Sequence, residues 1–286
     1  MSGPRRPPAW LGALLASAAL LGCSAAKVGY EHADTLLHWQ ATRYVDLRGE
    51  ASDDLERRID AFLAWHRAKA LPQYVRIAND GARRIEKGLS AEDVNWGYDA
   101  FMGQARESLR TAAEQIAPLL DQLSAEQVRQ IEQKFAEDNR KFERENLRGS
   151  EKDRRKRRAK VSAGRLEDWV GRLSKAQMER VRLYSERAPL YDELRAGDRR
   201  RLQAEFLGIV RARQAAKRLP ELAANFERGR NPAYGAAIEA NRREYTALLL
   251  DIDRSLNAEQ RARAAGRLRA YAQDFGKLAA ERRAAR

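Results

Sequence analysis

Few residues in this chain have the type and spacing to do chemistry. It has one cysteine, Cys23, and three histidines, His32, His38 and His66. A lone thiol has no partner for an intrachain disulfide and is a liability in an oxidising compartment unless it is modified. The histidines form no HExxH pair. His38 and His66 can approach each other across two helices, but the acidic partners of a metal site are not placed by the sequence, so no metal is expected. His66, between Trp65 and Arg67, reads as a packed, hydrogen-bonded core histidine. No GxSxG elbow and no phosphate-binding GxxxxGK[ST] loop occurs. The carboxylates lie among arginines at helical spacing, as surface ion pairs do. These residues predict a non-enzymatic protein.

The cysteine is the exception, because of what precedes it. Residues 1–22 have the layout of a secretory signal. Arg5 and Arg6 open it, an apolar run extends from Trp10 to Leu21, and the small Gly22 precedes Cys23. A run of about a dozen residues is too short to span a bilayer, which takes roughly 20. The tetrapeptide Leu20-Leu21-Gly22-Cys23 resembles the bacterial lipobox, although Leu21 is larger than the usual middle residue. The resemblance implies cleavage before Cys23, a diacylglyceryl group on its thiol and often a further acyl group on its amine. Two or more chains anchor stably, at about 0.8 kcal/mol per buried CH₂. A plain cleaved signal with a stray cysteine is the alternative. Ser24 follows the cysteine and, by the same resemblance, points to the outer membrane, facing the periplasm. The expected organisation is a lipoprotein signal at 1–22, a lipidated tether at 23–31 and a single all-helical periplasmic domain at 32–286. No cofactor is expected beyond the covalent lipid on Cys23.

The elements behind the anchor follow from composition. Charged residues are 34% of the chain, with a formal net charge of +14. That is too polar for a membrane-embedded domain. Leu, Val, Ile and aromatic residues nevertheless recur at helical spacing throughout. The chain is rich in good helix formers and poor in β-branched residues. The prediction is an all-α protein, an elongated multi-helix bundle of antiparallel helical hairpins. A basic excess ordinarily raises nucleic acid as a partner. An export signal argues against that and leaves envelope partners: the membrane through the lipid, envelope proteins, and anionic lipid or lipopolysaccharide. A merely solvated basic surface is the plainer reading.

Helix boundaries are readable in places. A first helix is expected from His32 to Leu47. Ser52 reads as the N-cap of a second, and Leu71-Pro72 as a break or restart. Four pentapeptides open later helices: Leu89-Ser90-Ala91-Glu92-Asp93, Leu123-Ser124-Ala125-Glu126-Gln127, Leu173-Ser174-Lys175-Ala176-Gln177 and Leu256-Asn257-Ala258-Glu259-Gln260. Their chemistry is that of the capping box. Ser124, Ser174 or Asn257 caps the free N–H groups of the first turn, and Gln127, Gln177 or Gln260 reaches back to the cap's own N–H. The preceding Leu serves as a hydrophobic staple. Asp198 reads as a further N-cap, and Leu219-Pro220 as a kink or break. The pentapeptides also resemble the LTxxQ motif of the periplasmic Spy and CpxP proteins, with Ser or Asn in place of Thr. That resemblance implies a chaperone-like or envelope-stress role.

A wider resemblance rests on Tyr44-Val45-Asp46-Leu47, Trp65-His66-Arg67, Leu71-Pro72-Gln73-Tyr74 and the capping pentapeptides behind the lipobox. Together they resemble an uncharacterised family of proteobacterial lipoproteins, a domain of unknown function that is all-helical. It implies a fold and an anchor and brings no activity. One stretch is left over: Arg154, Arg155, Lys156, Arg157 and Arg158, the densest charge run in the chain. It reads as a solvated loop, a helix end or a surface patch for anions. The expected function is therefore non-catalytic binding in the envelope, chaperone-like or stress-related. A structural or adaptor lipoprotein docking one envelope complex is the alternative.

Overall fold

The computed structural model describes residue 27 and residues 29–281. Leu20, Leu21, Gly22 and Cys23, and with them the signal and the lipid site, lie outside the described residues. Among these residues there are eleven α-helices, one π-helical turn and no strand. The helices are α1 (Ala33–Thr42), α2 (Glu50–Trp65), α3 (Leu71–Lys87), α4 (Ala91–Leu120), α5 (Ala125–Asn146), α6 (Glu151–Val170), α7 (Lys175–Arg187), α8 (Asp192–Arg211), α9 (Ala215–Ala224), α10 (Pro232–Arg254) and α11 (Ala258–Ala280). The chain is an all-α helical bundle. Among the described residues no helix is long and apolar enough to cross a membrane.

Small residues decide the closest helix pairs. The most extensive packing is α3 against α11, where buried Ala78 and Ala82 meet a helix carrying buried Ala264, Ala265 and Ala272. Gly81 sits in the same seam. A Cβ there would come within 3.1 Å of Leu268 Cδ1, closer than an ordinary van der Waals contact. Helices α4 and α9 pack in the same way through Ala113, Ala117 and Ala215. Sequence neighbours pair at α1–α2, α3–α4, α6–α7 and α8–α9, whereas the two tightest pairs join helices far apart in the chain. The core is split into clusters. One lies among α6, α7, α10 and α11, around Leu166, Val181, Leu248 and Ile252. A second joins α2, α4, α5 and α8 around Leu55, Leu119, Ile131 and Val210.

Several boundaries differ from the sequence reading. The first helix stops at Thr42. Ser52 is no cap: α2 starts at Glu50, and the Ser52 hydroxyl instead meets His38 Nε2 at 3.3 Å. At Leu71-Pro72 the expected restart is found: α3 begins at Leu71 with Pro72 in its first turn. His66–Ala70 form a π turn that joins α2 to α3. Proline has no N–H and its ring crowds the carbonyl four residues back, here Ala68 inside the π turn, where the widened coil makes room. Asp198 is not a cap either. It lies inside α8, 8% exposed, with Arg201 at 2.9 Å and Arg230 at 3.6 Å. Pro220 lies within α9.

Candidate binding groove

The capping pentapeptides position the most distinctive part of the molecule. At Ser124, Ser174 and Asn257 the cap side chain accepts the N3 backbone N–H. The glutamine Oε1 accepts the cap's own N–H, at 2.9 Å for Ser124–Gln127, 2.9 Å for Ser174–Gln177 and 3.3 Å for Asn257–Gln260. Ser90 forms the same box with Asp93. The preceding leucines Leu123 and Leu173 are buried in the two main core clusters.

The glutamines then do something local sequence does not encode. Each keeps its amide nitrogen free of the cap and spends it on a distant chain segment. Gln127 Nε2 donates to Asp46 O at 2.9 Å. Gln177 Nε2 donates to Ser255 O at 3.2 Å, and Gln260 Nε2 donates to Arg172 O at 3.0 Å. Ser255 and Arg172 stand at equivalent positions, two residues before the caps Asn257 and Ser174. The two amides also bond each other, Gln177 Nε2 to Gln260 Oε1 at 3.1 Å and Gln260 Nε2 to Gln177 Oε1 at 3.2 Å. The starts of α7 and α11 are thus clasped by a reciprocal pair, and Gln177 is 1% exposed.

A second tie lies beside it. The buried Asp253 carboxylate accepts from Arg261 at 2.8 Å and from Leu89 N at 3.0 Å. Gly88, at φ +89°, makes the α3–α4 turn that presents Leu89. Arg261 also donates to Asp253 O at 2.7 Å and to Ile85 O. The α10–α11 corner is thereby fastened to the α3–α4 turn.

Between these two ties opens a groove of about 400 Å³. Its walls are Leu166, Trp169 and Val170 of α6, Tyr245, Leu249 and Ile252 of α10, and Ala264 and Tyr271 of α11. The volume falls in the range of small-ligand sites, about 300–1,000 Å³. Trp169 and Tyr271 have ring centroids 6.1 Å apart. Tyr245 packs edge-on against Tyr184 at 5.5 Å. Burial pushes the phenol of the wall residue Tyr245 up, and pushes that of its neighbour Tyr184 up to about 12. Arg165, which is exposed, and Arg267, which is half-buried, also line the groove. Arg267 lies over Trp169 at 5.3 Å and over Tyr271 at 5.7 Å, donates to Asp168 O, and reaches the Tyr271 hydroxyl at 3.3 Å.

The basic run is found at the start of α6, where Ser150 and Asp153 form a fifth capping box. Most of it faces the protein. Arg154 pairs with Glu193 at 2.8 Å and Asp192 at 3.4 Å. Arg155 donates to Ser185 O at 2.8 Å and Ala188 O at 2.9 Å. Arg158 donates to Ala188 O and Pro189 O, both at 2.7 Å, and lies over Tyr184 at 5.6 Å. Burial holds the Arg158 guanidinium below its ordinary range. Arginine 155 and 158 thus satisfy the carbonyls left open at the end of α7. Lys156 and Arg157 are exposed, and Arg157 donates to Arg148 O. The five residues therefore do not form one outward patch.

The histidines stay apart in role. His66 Nδ1 bonds the Tyr30 hydroxyl at 2.9 Å within rings from Phe62, Trp65 and Tyr74. Burial, with Arg67 beside it, holds its imidazole below the usual range. His38 lies near Ser52 and Glu56. Among the described residues no three His, Cys, Asp or Glu side chains converge as metal ligands.

A family model described as a family of unknown function (DUF6279) matches residues 43–234. It takes in Ser124, Gln127, Ser174, Gln177 and the Trp169 wall of the groove, and ends before the wall formed by Tyr245 and Tyr271. No curated protein and no solved structure matches the chain.

Proposed function

The chain belongs to this family of unknown function, and from that premise we propose that it is a non-catalytic, lipid-anchored binding protein of the bacterial envelope. It is held through a lipid on Cys23 at the periplasmic face of the outer membrane. The observation that carries the binding reading is the aromatic and aliphatic groove with Arg165 and Arg267 in its lining. Such a surface suits a partner with an apolar body and an acidic flank. The placement at a membrane draws support from α1, the first helix after the tether. Leu36 is 53% and Trp39 56% exposed there, and Arg43 lies over the Trp39 ring at 4.9 Å. Trp favours the membrane–water interface, and long Arg side chains near helix ends reach it.

Photocrosslinking in intact cells tests the reading, with the crosslinker placed at Leu249 in the groove and, as a control, at exposed Lys156. Capture at Leu249 of species absent at Lys156 is the expected result. One dominant partner makes the protein an adaptor, and a spread of unrelated exported proteins makes it chaperone-like. Identical profiles at both positions would overturn the binding role of the groove.

A further inference from the structure

We propose that the groove between α6, α10 and α11 takes a single-chain anionic amphiphile: one apolar tail ending in one anionic head. The proposal rests on the binding reading above and names its ligand class. It is carried by an imbalance of charge. About half of the arginines among the described residues are matched to carboxylates, as Arg182 is by Glu179 and Glu186 and Arg110 by Glu107 and Glu114. Arg165 and Arg267 are not. Neither has a carboxylate within 4 Å among the described residues. Arg267 is held instead by neutral groups, the Asp168 carbonyl, the Tyr271 hydroxyl and two aromatic faces. Its guanidinium is therefore fixed in place with its charge uncompensated.

The acids nearby do not cancel this. Asp253 is already neutralised by Arg261 inside the wall. Asp168 is the one other carboxylate lining the groove, and it makes no ion pair. Two cations against one exposed acid leave the charged part of the lining positive, and the rest of it is mostly apolar. A ligand with a charged head and an uncharged tail satisfies both halves at once. The volume of about 400 Å³ is near the lower end of ligand pockets, about 300–1,000 Å³. One acyl chain fits such a space better than the two chains of a phospholipid.

The test uses the full chain carrying Cys23→Ala, purified without detergent, and dodecanoate below its micelle concentration. Titration calorimetry, with tryptophan fluorescence as a second readout, is expected to show saturable one-to-one binding. The cation of the same tail, dodecyltrimethylammonium, is expected to bind at least about tenfold more weakly, a difference of about 1.4 kcal/mol. Arg165→Gln changes an exposed residue without an ion pair and is expected to weaken dodecanoate severalfold at unchanged melting temperature. Leu249→Trp fills the groove and is expected to abolish binding. If that variant unfolds, Arg165→Gln decides the matter alone. No saturable binding, equal binding of the cation, or wild-type affinity in Arg165→Gln would each overturn the proposal. Dodecanoate binding without any groove-specific crosslink in cells leaves this proposal standing and removes the partner reading. The reverse result removes this proposal alone.

Discussion

Replacing Gln177 separates two roles that the capping pentapeptide combines. As a cap residue Gln177 only needs an acceptor for Ser174 N, at 2.9 Å. As half of the clasp it also needs donors, toward Ser255 O at 3.2 Å and Gln260 Oε1 at 3.1 Å. Gln177→Glu keeps the size and the acceptor, removes the donors and adds a carboxylate at a site that is 1% exposed, which raises the cost further. Two lost hydrogen bonds at about 0.5–1.5 kcal/mol each, with buried acceptors left unmatched, give a destabilisation of about 2–4 kcal/mol. Gln127→Glu is the control. It removes one tertiary bond, to Asp46 O, at a more exposed site, and is expected to cost about 1 kcal/mol. Urea denaturation at pH 7 measures both against a total stability of about 5–15 kcal/mol. A double-mutant cycle with Gln177→Leu and Gln260→Leu isolates the amide pair and should return a coupling of about 1–2 kcal/mol. Equal costs for Gln177→Glu and Gln127→Glu, together with a coupling below about 0.5 kcal/mol, would mean that the glutamines only cap. The clasp would then carry no energy.

Ser124→Ala and Ser174→Ala should each lower stability by about 0.5–2 kcal/mol; unchanged urea midpoints in both would count against the caps. Arg158→Ala strips donors from Ala188 O and Pro189 O and should cost about 2–4 kcal/mol, whereas exposed Lys156→Ala should stay within about 0.5 kcal/mol. Equal effects of the two would restore the reading of the basic run as a uniform surface patch. His66 has a folded pKa below its ordinary value of 6.5, so the unfolded chain takes up the proton first as pH falls. Its contribution is complete above about pH 6.5 and is lost on acidification toward the folded value. His66→Phe should accordingly flatten the stability profile between pH 7 and 5, and parallel profiles would refute the assignment. Cys23→Ala should abolish incorporation of radiolabelled palmitate; label retained in that variant would exclude Cys23 as the lipid carrier.

Whatever depends on the first turn of a helix is legible in this sequence, because the chemistry is contained in four or five residues. Ser90, Ser124, Ser174 and Asn257 are recognisable for that reason. Ser150 escapes because Asp153 looks like one more member of a charge run, although Ser-x-x-Asp carries the same capping chemistry. Asp198 misleads in the opposite sense. An acid ahead of Leu202 and Phe206 is a sound local cap signal, but the helix has already begun at Asp192, and Arg201 and Arg230 bury the carboxylate. At Pro72 the local rule offers a break or a restart, and a helix does restart there; the π turn that joins it to α2 is what the sequence does not show. The arginines of α6 show the limit most clearly. Their charges are visible in the sequence, while the carbonyls at the end of α7 that Arg155 and Arg158 satisfy are set by the pairing of two helices. The groove is illegible for the same reason. Trp169, Tyr245 and Tyr271 each sit at ordinary core spacing on their own helices, and nothing in that spacing says that α6, α10 and α11 will meet.

The clasp changes what the pentapeptides can be asked to explain. Wherever two capped helix starts are packed face to face, each glutamine has one amide oxygen for its own cap and one amide nitrogen left for the other strand. The reciprocal bonds of Gln177 and Gln260 follow from that geometry, with no client or signal involved. The pentapeptides in this chain therefore account for how its helices are joined, and they carry no activity by themselves. What the joint does accomplish here is local. It holds Arg172 and Ser255 together, two residues beyond Val170 at the end of α6 and one beyond Arg254 at the end of α10, so it fixes the separation of two walls of the groove. The Asp253–Arg261 tie fixes the third. Arg165 and Trp169 on α6 and Arg267 on α11 stand on the walls that the joint positions, and Gln177→Leu is expected to weaken dodecanoate binding in calorimetry at temperatures where the bundle stays folded.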